Sequence, residues 1–113
     1  MIILVDDRRD GDGIICRDID AAQLVLAALQ HLPNADDNPI ELRLDHDLGQ
    51  GQGRDGIDLL VWARDNNIRL PEKIVLVSEN PVGCRNMANL LIYDLLYSAD
   101  ASHRYFVRTL ENP

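Results

Sequence analysis

Three polar sets stand where apolar runs stop. Asp6 and Asp7 follow the run from Met1 to Val5; Asp45, His46 and Asp47 follow Ile40, Leu42 and Leu44; Ser78 and Asn80 follow Ile74 to Val77. Gathered in one crevice, four carboxylates repel one another, and at neutral pH they require a shared proton, a cation or separation. Mg²⁺ is the matching cation, because it takes hard oxygen ligands and keeps waters that bridge to phosphate. His46 between two carboxylates has the make-up of a general acid or base, with an aspartate setting its tautomer. Asn80-Pro81-Val82-Gly83 reads as a helix start whose free backbone N–H groups form an anion site, and Arg85 and Asn86 add side-chain donors.

Each feature also has a plainer reading. Aspartates cap helices, end strands or pair with arginines, and Arg8, Arg9 and Arg54 are at hand. His46 is a packing or surface residue on the bland view, and if the strand runs on, alternation points it away from Asp45 and Asp47. Asn followed by Pro is an ordinary helix cap with proline in the first turn. His31 ends a helix and His103 lies in a polar connector, so neither is given a role. Two other motifs fail outright. Asp45-x-Asp47-x-Gly49 opens like a calcium loop, but Gln50 and Gly56 stand where that loop needs glycine and glutamate. The run Gly49, Gly51, Gly53, Gly56 has no following Gly-Lys-Ser/Thr, and no Cys/His set has zinc spacing.

The elements that must position these groups alternate. Met1 to Val5, Ile14 to Cys16, Ile40 to Leu44, Ile74 to Val77 and Tyr105 to Val107 read as strands; the third alternates with Glu41 and Arg43, which implies one partly exposed face. Ala21, Leu24, Val25, Ala28 and Leu29 form a helical stripe, capped by Asp18 or Asp20 and stopped by Pro33. A second helix turns Ile57, Leu60 and Val61 inward, and the glycines before it, Gly56 included, read as a flexible loop. A third, long helix carries Met87, Leu90, Leu91 and Leu95. Strands alternating with helices predict a three-layer α/β fold, a mostly parallel sheet of four or five strands with about three helices. Ligands bind such sheets beyond the carboxyl ends of the strands, which is where the three polar sets fall.

Composition narrows the function. The 113 residues, 46% of them hydrophobic, suit one domain over positions 1–113 that buries a core unaided. A net charge of -8 disfavours binding to nucleic acid or to anionic membranes, since both draw affinity from Lys and Arg. It leaves room for a phosphorylated small molecule held by local dipoles or a metal, and for a basic protein partner. No apolar run approaches the roughly 18–20 residues of a membrane span, no signal peptide is read, and Cys16 and Cys84 are expected as free thiols of a cytoplasmic protein.

The strand ending in Asp6-Asp7, the segment Leu44-Asp45-His46-Asp47-Leu48-Gly49 and the segment Ser78-x-Asn80-Pro81-Val82-Gly83-x-x-Asn86-Met87 together resemble the cyclic-phosphate processing receiver-like domains of bacteria and phages, over roughly residues 3–91. The wider likeness is to response-regulator receivers. That resemblance implies a receiver- or flavodoxin-like fold with Mg²⁺ held by Asp6, Asp7 and Asp45 or Asp47. It implies catalytic roles for His46, Asp45 and Asp47, and substrate binding by Ser78, Asn80, Gly83, Arg85 and Asn86. The implied activity is binding, and in its stronger form hydrolysis, of a cyclic phosphate on a nucleotide-type molecule. Three departures stand out. Val77 replaces a histidine that many members carry before the serine; no lysine follows the last strand, where Val107-Arg108-Thr109 stands; and no first helix fits between Asp7 and Ile14. The first favours an alternative, a non-catalytic module that sequesters a nucleotide signal or inhibits a host protein. The last helix, apolar almost all round at Leu91, Ile92, Leu95, Leu96 and Tyr97, suits a third reading as a homodimerising unit.

Overall fold

β-Branched apolar runs bounded by charge become the centre of one sheet in the computed structural model, which describes residues 1–31, 40–48 and 55–108. The strands are β1 (Ile2–Val5), β2 (Ile14–Cys16), β3 (Glu41–Leu44), β4 (Lys73–Leu76), β5 (Ser98–Ala99) and β6 (Tyr105–Val107), in the order β2-β1-β3-β4-β6-β5. The first four are parallel, while β6 runs antiparallel to β4 and β5 antiparallel to β6. The mostly parallel receiver-like sheet is thus as expected, with the two-residue β5 as the addition that no apolar run announces.

Three helices cover it: α1 (Ile19–Leu29), α2 (Gly56–Asp65) and α3 (Pro81–Asn89), the last passing into a π-helical turn at Leu90–Asp94. α1 packs on α2 and α2 on α3. All three described helices therefore share one face of the sheet. The reason is topological. Crossovers between parallel strands are right-handed, and β2→β3 and β3→β4 progress in the same direction across the sheet. The one crossover in the reverse direction, β1→β2, is the short segment 6–13 without a helix, as the missing first helix implied. Consequently Ile3, Leu42, Ile74 and Phe106, in register across four strands, are all fully buried beneath the helices. The opposite row carries the half-buried Arg43, Val75 and Tyr105.

The helix termini follow local chemistry. Asp18 caps α1, its Oδ1 accepting from the Ala21 N–H at 2.8 Å. The fully buried stripe of α1 is Ile19, Ala22 and Leu26; of the expected stripe, Ala21, Val25 and Leu29 pack partly buried against the core, whereas Leu24 is 74% exposed. A helix apolar on nearly every side has no unique stripe, so packing against its neighbours chose the face. Pro33 lies outside the described residues. Gly56 corrects another expectation: it is the first residue of α2, and a Cβ there would lie 2.0 Å from the Asp45 carbonyl oxygen. The last apolar stretch does not continue as helix either. Leu96 turns out at φ 62 with 73% exposure, and Tyr97 turns back into the core. Cys16 and Cys84 are buried free thiols, and among the described residues no helix is long and apolar enough to cross a membrane.

Candidate functional site

β1 and β3 are neighbours whose chains leave in opposite directions, β1 towards β2 and β3 towards β4. A crevice opens at such a switch point, beyond the carboxyl ends of the strands. Asp6 and Asp45 are the first residues past those two strands and are tied there by main-chain bonds, Asp6 N–H to the Cys16 carbonyl and Asp45 N–H to the Val5 carbonyl, each at 3.0 Å. The segment after β1 must then return within a few residues. Gly13, at φ +92, makes the turn where a Cβ would lie 2.0 Å from the Ile2 carbonyl oxygen.

Asp6, Asp7 and Asp45 bring carboxylate oxygens within 4.8 Å of one another. Asp6 and Asp45 are buried, and Ser78 hydrogen-bonds to Asp45. Asp6 Oδ1 accepts the backbone N–H groups of Arg8 and Arg9, both at 2.9 Å, and Oδ2 accepts from Arg9 Nη1 at 2.9 Å. Burial pushes Asp6 upward, but the Arg9 and Arg8 amides and the Arg9 guanidinium together hold it below the ordinary carboxylate value. Burial raises Asp45, and the nearby charge of Asp6 adds to this; the Ser78 hydroxyl and Arg9 only partly oppose it. Two neighbouring carboxylates thus have their proton affinities driven in opposite directions, Asp6 down and Asp45 up.

A second set lies beside the first. β3 stops at Leu44, so the alternation that would have separated His46 from Asp47 ends with it. His46 Nδ1 lies 2.9 Å from Asp47 Oδ1, and Asn80 Nδ2 donates to both Asp47 oxygens at 3.3 Å. The His46 bond comes first among the causes that hold exposed Asp47 below its ordinary value. Asp55, heading α2, completes a group with His46 and Asp47 whose ligand atoms lie within 4.8 Å. Gly83 is the floor: a Cβ there would come within 2.4 Å of the His46 ring.

Of the residues expected at the site, Asp6, Asp7, Asp45 and Ser78 therefore meet in one hollow, and His46, Asp47, Asn80 and Gly83 in the other. Asn80 caps α3, its Oδ1 accepting the Gly83 N–H at 2.9 Å, so Gly83 contributes space and not a free donor. Asn86 and Arg85 are both exposed on α3. Asn86 faces a groove of ≈ 470 Å³ between α2 and the α3–π segment, with Ile57, Val61, Asn89 and Tyr93 also on its walls. Arg85 is not on that groove and pairs with none of the described acids.

Three charged residues went unassigned in the sequence. Arg9 reaches Asp6, stands 3.8 Å from Asp45 Oδ2 and, through Nη2, 3.6 Å from Glu79 Oε1. The i,i+3 spacing of Asp6 and Arg9 was the available signal, and it was read only as a plain pairing. Arg104 hydrogen-bonds through Nη1 to the Ser78 carbonyl. β6 is antiparallel, so its start at Arg104, and not its end at Arg108, stands at the site. Arg108 lies at the other end, donating to the Leu95 carbonyl at 3.1 Å.

The hollow can hold a divalent cation by its donor set, which is all oxygen. Asp7 Oδ1 is buried with no hydrogen-bond partner, a lone pair left over for such an ion. The competing groups are the guanidinium of Arg9, against Asp6 and Asp45, and that of exposed Arg8, 3.8 Å from Asp7 Oδ1.

No match was found among curated proteins or among solved structures. The model of the cyclic-phosphate processing receiver domain matches residues 1–92, a span holding both hollows and the helix that Asn80 caps. The chain belongs to that family.

Proposed function

We propose that the protein binds the cyclic phosphate of a nucleotide-type small molecule across the two hollows and hydrolyses it with Mg²⁺. The observation that carries this reading is the pairing of a buried three-carboxylate hollow with a histidine–aspartate pair at the mouth of the same crevice. Asp6, Asp7 and Asp45 would hold the ion, which when bound polarises a phosphoryl oxygen and offsets the charge that develops there. The Asp47 carboxylate fixes the proton of His46 on Nδ1 and leaves Nε2 as the basic nitrogen. Nε2 takes a proton from the attacking water as its oxygen bonds to phosphorus, and returns it to the ring oxygen released when the P–O bond breaks. The start of α3 would face the anion, and Arg104 adds positive charge next to Ser78.

The groove lined by Asn86, Asn89 and Tyr93 gives the rest of the ligand a place. An exposed tyrosine with two carboxamides on this open groove would suit a planar, hydrogen-bonding base.

The test is incubation with 2′,3′-cyclic nucleotides and ADP-ribose cyclic phosphate plus Mg²⁺, with products resolved by chromatography. Ring opening that disappears in His46→Ala and Asp45→Ala supports the enzyme. A thermal shift by the same compounds without ring opening would leave the second reading, a non-catalytic module that sequesters the ligand. Val77, half-buried where many members carry histidine, is the observation that favours it. Neither turnover nor a shift with any of these compounds would sink both.

A further inference from the structure

The hollow of Asp6, Asp7 and Asp45 already contains a cation. Arg9 Nη1 lies 2.9 Å from Asp6 Oδ2 and 3.8 Å from Asp45 Oδ2. A divalent ion on the same oxygens meets this like charge at close range in a poorly solvated place, so the two cannot share the seat. The side chain has a way out. Asp6 and Asp45 are 1% and 5% exposed at their side chains, Arg9 is 38% exposed, and Glu79, its third partner at 3.6 Å, is 90% exposed. The backbone beneath it is tied down by hydrogen bonds. The Arg9 N–H donates to Asp6 Oδ1, and the Arg9 carbonyl accepts from Arg17 Nη1 at 2.7 Å. Only the guanidinium needs to swing, and the direction of Glu79 is that of the β4–α3 connection, beside Ser78 and Asn80.

We infer that Arg9 is a resident competitor for the cation seat, displaced towards Glu79 when a divalent ion binds, so that its positive charge arrives where the phosphate is held. The inference rests on the cation-assisted reading above. Its consequence is positive coupling between ion and phosphate, because each favours the arrangement with the guanidinium out.

Calorimetric titration with MgCl₂ and MnCl₂ tests it on the intact chain and on Arg9→Met, which keeps the length of the stem and removes the charge. The expected result is at least tenfold tighter ion binding by R9M. Inorganic phosphate should tighten Mg²⁺ binding to the unaltered protein by a larger factor than it tightens binding to R9M. Equal or weaker ion binding by R9M overturns the inference. R9M leaves buried carboxylates without their partner; if it folds only with added ion, its unfolding temperature against MgCl₂ becomes the measurement. A steeper rise than in the unaltered protein is expected, and parallel rises overturn the inference. If neither protein binds a divalent ion, the inference falls. That result would also remove Mg²⁺ from the proposed reaction, whereas ion binding that is equal in the two proteins overturns the role of Arg9 alone.

Discussion

Asp45 and Asp47 leave the same strand end and meet opposite surroundings. Asp45 turns into the hollow with Asp6 and Asp7, is 4% exposed, and is raised above its ordinary proton affinity by burial. Asp47 turns to the rim, is exposed, and is lowered by its bonds to His46 and Asn80. Water separates the two cases. A carboxylate in the hollow needs protein groups to replace its hydration and gains or loses stability as they come and go. One on the rim keeps its solvent and lends its charge to orienting others. Stability should therefore be sensitive to the hollow and ligand handling to the rim.

The largest break in that contrast is Asp6→Ala. It strands the Arg8 and Arg9 amides and half frees Arg9, and should cost about 3–5 kcal/mol in urea unfolding at neutral pH. Because the native value of Asp6 is lowered, its contribution is fully present above the ordinary 3.8 and fades as pH falls through that lower native value. The gap between D6A and the unaltered protein should accordingly narrow in acid; a pH-independent gap would show that the charge of Asp6 is not what matters.

Asp45→Asn should act the other way. A raised native value means that stability is fullest in acid, where Asp45 is protonated, and is lost as pH rises through that value. At neutral pH with a chelator present, D45N should be more stable by about 1 kcal/mol, the gain closing in acid. A D45N protein less stable at neutral pH would mean that the Arg9 and Ser78 contacts outweigh burial.

Gly83→Ala sharpens the comparison from the rim. Alanine favours the helix by up to ~1 kcal/mol over glycine, while its Cβ forces the His46 ring aside. Stability should change by less than about 1 kcal/mol, while ring opening of a cyclic nucleotide falls at least tenfold; unaltered turnover would remove His46 from the reaction. The smallest effect on stability is expected for Asp47→Asn, within about 0.5 kcal/mol as for other exposed pairs, with the pH profile of turnover shifted through His46. An unshifted profile would detach Asp47 from His46.

Much of this was legible in the chain. The four central strands, a cap at Asp18 or Asp20 and the polar sets at the strand ends follow from short apolar runs ended abruptly by charge, a local signal that tertiary contacts did not override. The stripe of α1 was legible only in part, and the role of Gly56 was not. An all-round apolar helix carries no phase, and the glycine before Ile57 is required by a close approach to Asp45 that only the packed chain creates. Likewise, Arg9 could be seen to reach Asp6 but not to stand between Asp6 and Asp45.

The sequence by itself determined which residues end the strands and that several of them are acids, because strand length and charge are written within a few positions. Only the tertiary structure decided that Asp6 and Asp45 share a hollow with Arg9 between them, that Asp47 belongs to the rim, and that Arg104 and not Arg108 stands at the site. Those outcomes depend on strand order, on strand direction and on the point where β3 stops. These are set by packing across the whole sheet, and no local stretch of sequence contains them.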